Sequence, residues 1–152
     1  QTKWKPNLYV YILEPDQIVD TTSFIRMTDR PLYPAKQSKK LLIDFKTACD
    51  KQNVKLLGKL ATTSALLNNK RLPKPYLEEI IEITTELGLL GVNVAHSGSI
   101  VGILLTQDQL IHLNKLEERL SQHPLASYYS IRNLSKIIYD GLKVKKVEEI
   151  CG

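Results

Sequence analysis

The chain has 152 residues, 43% hydrophobic and 24% charged, with 21 basic against 16 acidic side chains and a formal net charge of +5. That length suits one domain of roughly 100–200 residues, and the apolar share excludes wholesale disorder. No apolar run reaches the ~18 residues that cross a bilayer, so no membrane span is expected; the positive charge permits an anionic partner without requiring one.

Leu8–Leu13 (LYVYIL) is short, rich in β-branched and aromatic residues, and stopped by Glu14-Pro15, so it reads as a buried strand. Asp20 stands where a helix N-cap belongs, ahead of a short helical stretch, Thr21–Thr28. Pro31 and Pro34 punctuate a loop. The spacing then predicts three helices. The first runs over about Ser38–Lys51, with Leu41, Leu42, Phe45, Ala48 and Cys49 recurring at helical intervals. The second, about Val54–Asn69, carries Leu57, Leu60, Ala61 and Ala65 on one side. The third opens at Pro75, with Glu78 and Glu79 near its positive end, and an inner stripe of Leu77, Ile80, Ile81, Thr84 and Leu87. Gly88 terminates it as a C′ glycine.

Gly91–Ala95 is the next strand, His96–Ser99 a turn, and Ile100–Leu105 a second strand apolar enough to lie inside a sheet. Thr106-Gln107-Asp108-Gln109 matches a capping box and opens a helix to about Ser121, with Leu110, Leu113, Leu116 and Leu120 inward. Ala126–Ile131 (ASYYSI) reads as a last strand, and the tail from Ser135 to Gly152 as either helix or strand. The order β, helices, β, β, α, β is the split βαβ, or ferredoxin-like, pattern. The expected fold is therefore α+β in a single domain over residues 1–152, a mainly antiparallel four-stranded sheet with helices on one face and extra helices after the first strand.

Two cysteines, Cys49 and Cys151, stand far apart with no Cys-x-x-Cys or Cys/His cluster. Neither a zinc module nor a disulfide scaffold is expected, no metal ligand is assigned, and the reducing cytoplasm is the expected compartment. Cys49 lies on an apolar helical stripe and reads as a small buried hydrophobe. The chain opens on Gln1 with no signal peptide in view, and is read as a piece of a longer protein. His112 reads as a boundary residue and His123 as a loop residue without a sequence-local partner. The clusters Lys36-Lys39-Lys40, Lys70-Arg71-Lys74 and Lys143-Lys145-Lys146 read as solvated faces. Tyr128 and Tyr129 are the nearest approach to a stacking platform, and without interleaved aromatics no nucleic-acid partner is assigned.

The segment richest in chemistry is Gly91-Val-Asn-Val-Ala-His-Ser-Gly-Ser-Ile-Val-Gly102. A Ser-Gly-Ser turn has little side-chain bulk, so its backbone N–H groups can approach an anion and its hydroxyls add donors. His96 adds a donor or a charge at the same point. Spacing alone favours an ordinary tight turn, and Asp20 reads first as a plain helix N-cap.

These residues resemble a known family. The run from Gly91 through Ala95-His96-Ser97-Gly98-Ser99 to Gly102-Ile-Leu-Leu is similar to the third motif of the GHMP kinases, and its Ala-His-Ser-Gly version resembles the L-threonine kinase branch that serves cobalamin synthesis and propanediol utilisation. Glu14 after the first strand, Asp20-Thr21-Thr22 leading to Phe24 and Arg26, and Leu56-Leu57-Gly58-Lys59-Leu60-Ala61 with Ser64 and Leu66-Leu67-Asn68 are also similar to that branch. His96 and Ser99 depart from the superfamily's usual small residues. The superfamily's ATP motif, Pro-x-x-x-Gly-Leu-Gly-Ser-Ser, does not occur in these residues. The resemblance therefore implies the C-terminal half of an ATP-dependent kinase that phosphorylates a small-molecule hydroxyl, L-threonine above all. It implies an N-terminal domain of the same polypeptide that holds most of the ATP and Mg2+, and no activity for this half alone. Ser97, Gly98 and Ser99 are the implied phosphate contacts through their backbone, His96 a substrate or phosphate contact, and Asp20 and Thr21 substrate contacts; no catalytic residue is assigned. The implied partners are the N-terminal domain and the small-molecule substrate, with a homodimer admitted. Two other readings stay open beside it: a ferredoxin-like regulatory module that binds a small molecule, and a basic nucleic-acid-binding domain.

Overall fold

The structure is a computed structural model that describes residues 6–16, 47–94, 100–138 and 143–146. Strand β1 is Leu8–Glu14, helix α1 Val54–Asn69, helix α2 Leu77–Glu86, strand β2 Gly91–Val94 and strand β3 Val101–Thr106. A 3-10 turn, Gln107–His112, leads into α3, Leu113–Gln122. The short helix α4, Leu125–Tyr128, precedes β4, Ile131–Ile138, and β5, Lys143–Lys146.

Among the described residues the strands form one sheet in the order β2-β3-β1-β4-β5. Every pairing is antiparallel, with Leu13 opposite Val101, Leu13 also opposite Arg132, and Gly91 opposite Leu104. The order of the first four strands is the split βαβ arrangement expected from the sequence. The fifth strand corrects the expected count of four: the tail left open between helix and strand continues β4 to Ile138 and returns as β5, with Ser135 opposite Lys146.

Side chains alternate across a strand, so Tyr11 and Leu13 share a face with Val101, Ile103 and Leu105 across the ladder. Helices α2, α3 and α4 cover that face through Ile80, Ile83, Leu116, Leu120 and Leu125, and together these side chains make the main core. Arg132 ties β4 to α3 through Glu117, with Nε to Oε1 at 2.8 Å.

Several sequence expectations need correction. Ala126–Ile131 is not the last strand. Leu125 N–H donates to His123 Nδ1 at 3.1 Å and Tyr129 N–H to Leu125 O at 2.8 Å, so the chain closes a helical turn there and the strand begins at Ile131. Aromatic strand propensity yields to a tertiary contact: Tyr129 is fully buried, and its hydroxyl donates to Pro75 O at 2.8 Å. His123 thus has a local partner after all. Helix α2 starts at Leu77, not Pro75, because Tyr76 takes a left-handed backbone, φ +62°, that breaks the helical run. Gly88, at φ +69°, ends it as expected. Residues 47–50 are helical and match the end of the first expected helix, with Ala48 buried and Cys49 half-buried, not buried. Its earlier residues, and the stretch Thr21–Thr28, lie outside the described residues. Among the described residues no helix is long and apolar enough to cross a membrane.

Candidate functional site: the β2–β3 hairpin and its mount

His96, Ser97, Gly98 and Ser99 lie outside the described residues, as do Asp20 and Thr21. The structure gives the hairpin that delivers the first four. Strand β2 ends at Val94 and β3 begins at Val101, directly opposite it.

Helix α1 lies against β2, the outermost strand on that side of the sheet. Contact is backbone to backbone. A Cβ at Gly58 would collide with Leu90 O, and one at Gly91 with Gly58 O. A glycine inside a helix costs about 1 kcal/mol relative to alanine, so its presence here marks the close approach. Into that narrow gap reaches the Thr62 hydroxyl. It donates to Gly58 O at 3.0 Å, one turn back, and accepts the Val92 N–H at 3.0 Å. An edge strand's outward amide, otherwise left to water, is thereby paired.

The open end of the hairpin is held separately. Gln109 Oε1 accepts the Thr106 N–H at 3.0 Å, the capping-box bond expected from the sequence. Its Nε2 donates to Gly88 O at 3.1 Å, tying the end of β3 to the end of α2. At Gly102 a Cβ would press on Val10 and on the Asn93 side chain, which folds across β3 from its cross-strand position.

A cleft of about 500 Å3 opens between α1, α2 and the start of β2, with Lys55 and Lys59 at its rim. The hydroxyls of Thr62, Thr63, Thr84 and Thr85 in its lining all donate to carbonyls one turn back in their own helices. They keep lone pairs but no free hydrogen, so the cleft is poorly equipped to bind an anion through them. It also flanks Gly91 and Val92 rather than Val94, at the end of β2 away from residues 95–99.

Lys74 corrects another expectation. Assigned to a solvated basic cluster, it is 5% exposed, and its Nζ has no hydrogen-bond partner among the described residues. Burial holds its pKa below the ordinary lysine value. Asn68, 2% exposed, has neither amide atom paired among the described residues. Tyr129 is held protonated well above the usual phenol range, first by burial and then by the neighbouring Tyr128. Its burial, and the edge-to-face contact of Tyr128 on it at 4.7 Å, leave no paired stacking platform there. Among the described residues no group of three or more His, Cys, Asp or Glu side chains converges to hold a metal.

Thr62 has no place in the sequence reading, and Gly58 stands there only within the stretch Leu56–Ala61 that carries the resemblance, with no role of its own. A mid-helix glycine was their one visible signal, and it names no partner. The second role of Gln109 and the burial of Lys74 left no local signal at all.

Comparison with known proteins gives the hairpin its context. The family model of GHMP kinases C terminal matches residues 45–123, just over half of the chain and the whole of the hairpin. An L-threonine kinase of Salmonella typhimurium is 36% identical over 99 residues, covering 64% of this chain and 32% of that protein. An L-threonine kinase of Citrobacter freundii is 28% identical over 146 residues, covering 93% of this chain and 49% of that protein. Among solved structures, the mevalonate kinase of L. major in complex with R-mevalonate superposes with a TM-score of 0.59 at 19% identity, over 86% of this chain and 43% of that one. That likeness concerns the fold. The chain spans 32% and 49% of the length of these two curated relatives.

Proposed function

The chain belongs to the GHMP kinases' C-terminal family, and from that premise we propose that it is the substrate- and phosphate-side domain of an ATP-dependent kinase that converts L-threonine to O-phospho-L-threonine. One observation carries the reading: the similarity to an L-threonine kinase runs over 93% of the chain, not over a fold-wide minimum. The Ala-His-Ser-Gly-Ser sequence sits within the span matched by the family model. The setting proposed for the product is cobalamin synthesis in the cytoplasm.

In the proposed reaction the threonine hydroxyl oxygen bonds to the γ-phosphorus of ATP as the bond to the ADP oxygen breaks, and the hydroxyl proton departs. Such transfers depend mainly on positioning and on donors aimed at the phosphoryl oxygens. Backbone N–H groups of Ser97, Gly98 and Ser99 are the proposed donors, with His96 beside them toward phosphate or substrate. Asp20 and Thr21 are proposed substrate contacts. ATP and Mg2+ are assigned mainly to an N-terminal domain of the same polypeptide, in keeping with the share of its relatives that this chain spans.

The test is direct. Full-length enzyme incubated with ATP, Mg2+ and L-threonine is followed by phosphorus NMR. The expected product is O-phospho-L-threonine, formed faster than O-phospho-L-serine at equal acceptor concentration. ATP consumption with no phosphothreonine would overturn the acceptor assignment.

A further inference from the structure

Among the described residues, strand β2 has four residues and one strand neighbour. A strand that short is a weak mount on its own, because its outer edge has no ladder to hold it. Here α1 supplies the second side. Gly58 and Gly91 let helix and strand backbones touch, and the Thr62 hydroxyl bridges Gly58 O to the Val92 N–H with two bonds of 3.0 Å. The hydroxyl's one hydrogen is spent on Gly58 O and one of its two lone pairs on the Val92 N–H. Thr62 lies thirty residues from Val92 in sequence, so the bond serves tertiary placement and not local helix structure. Its neighbour Thr63 makes only the within-helix bond, to Lys59 O at 2.9 Å.

We propose that Thr62 is a positioning residue of the kinase: by pairing the outer amide of Val92, it fixes the register of β2 against α1 and so the point from which the chain enters Ala95–Ser99. The proposal rests on the function read above. Val94 follows Val92 by two residues, about 7 Å along a strand. A shift at Val92 therefore acts on the strand close to its end at Val94, against the restraint of the ladder to β3. Phosphoryl transfer is sensitive to such shifts, and misplacement by about 1 Å costs on the order of 10²-fold.

The experiment compares three variants of the full-length enzyme. Thr62→Val keeps the shape and removes both bonds, Thr62→Ser keeps the hydroxyl, and Thr63→Val is the control on the same helix. Thr62→Val should lower kcat for threonine about 10–100-fold with KM for ATP within about threefold of wild type. Thr62→Ser should recover most of the loss, and Thr63→Val should be silent. A residue that only stabilised the fold would lower the melting temperature and leave kcat per folded molecule unchanged. Folded Thr62→Val with wild-type kcat therefore overturns the proposal. Amide exchange on the unmutated enzyme gives a readout that no folding defect can obscure: Val92 should be protected like an interior amide, and exchange at the rate of a free edge amide also overturns it. Gly98→Val run alongside separates the two readings. Loss of activity there with none in Thr62→Val sinks the positioning role alone. Loss in Thr62→Val with none in Gly98→Val keeps it and sinks the phosphate role of Gly98.

Discussion

Gln109 donates from Nε2 to the Gly88 carbonyl oxygen at 3.1 Å, across twenty-one residues of sequence. Gly88 is the left-handed residue that ends α2, and a helix's last carbonyls need partners from outside the helix. The same carboxamide accepts the Thr106 N–H, so one side chain closes both the start of the 3-10 turn and the end of α2. Gln109→Leu loses both bonds and strands two backbone groups. Gly88 is exposed and Thr106 half-buried, so water takes up part of the loss, and the expected cost in a urea titration is about 0.5–1.5 kcal/mol, the net worth of an ordinary hydrogen bond. Gln109→Glu keeps the acceptor toward Thr106 but not the donor toward Gly88, and should fall between. Equal stability of Gln109→Leu and wild type would show that water replaces both bonds at no loss.

Lys74 sets up a pH test. Burial lowers its folded pKa, while in the unfolded chain it returns toward the ordinary 10.5. Between those values the unfolded state binds more protons, so stability rises as pH rises through that window. Below the window both states are protonated, and the folded protein carries the full cost of an ammonium with no partner. Lys74→Met should remove the alkaline rise and stabilise the protein at pH 7 by about 1–3 kcal/mol, the usual cost of an unpaired buried polar group. Unfolding free energies of both proteins between pH 7 and 10.5 decide it. Parallel curves would mean that Lys74 does not titrate differently on folding.

Gly58→Ala opposes two effects of different size. Helix propensity favours alanine by about 1 kcal/mol. Against that, the new Cβ meets Leu90 O, a backbone atom that has no rotamer by which to withdraw. Overpacking typically costs about 1–3 kcal/mol, and a backbone collision lies at the upper end, so the variant should be less stable by about 2 kcal/mol. Thermal melting of the two proteins measures the sign. A higher melting temperature for the alanine variant would mean that α1 and β2 are not pressed together at Leu90 and Gly91.

The order of elements was legible because each depends on local patterning: Leu77, Ile80 and Thr84 at helical spacing, Gly88 at a helix end, Thr106 and Gln109 three apart. The strand order followed from the split βαβ topology, which has few antiparallel solutions. What escaped was set by contacts distant in sequence. Tyr129 reads as a strand residue until Pro75, fifty-four residues away, takes its hydroxyl. Lys74 reads as surface until the fold buries it. Of the candidate site the sequence offered a small-residue stretch between two apolar strands, whose residues 95–99 lie outside the described residues, while the strut of Gly58 and Thr62 against β2 was not legible, since nothing in α1 announces which strand it will meet.

Ala95–Ile100 connects Val94 to its cross-strand partner Val101. A two-residue turn suffices for an antiparallel hairpin, so six residues are more than closure needs. Three of the six are Ser-Gly-Ser, residues of little side-chain bulk, as the proposed phosphate contact would require. Gly98→Val adds a branched side chain where the proposal has phosphoryl oxygens, and excludes the backbone angles reserved to glycine. Loss of one preorganised donor of this kind costs about 10²–10³ in rate. Because the proposed contact would gain strength as charge develops, the loss should fall on kcat more than on KM for threonine. The measurement is steady-state kinetics on full-length enzyme, paired with a melting curve to show that the variant is folded. A glycine serving only the turn would lower the melting temperature while leaving kcat per folded molecule near wild type, and that outcome would remove residues 97–99 from the phosphoryl site.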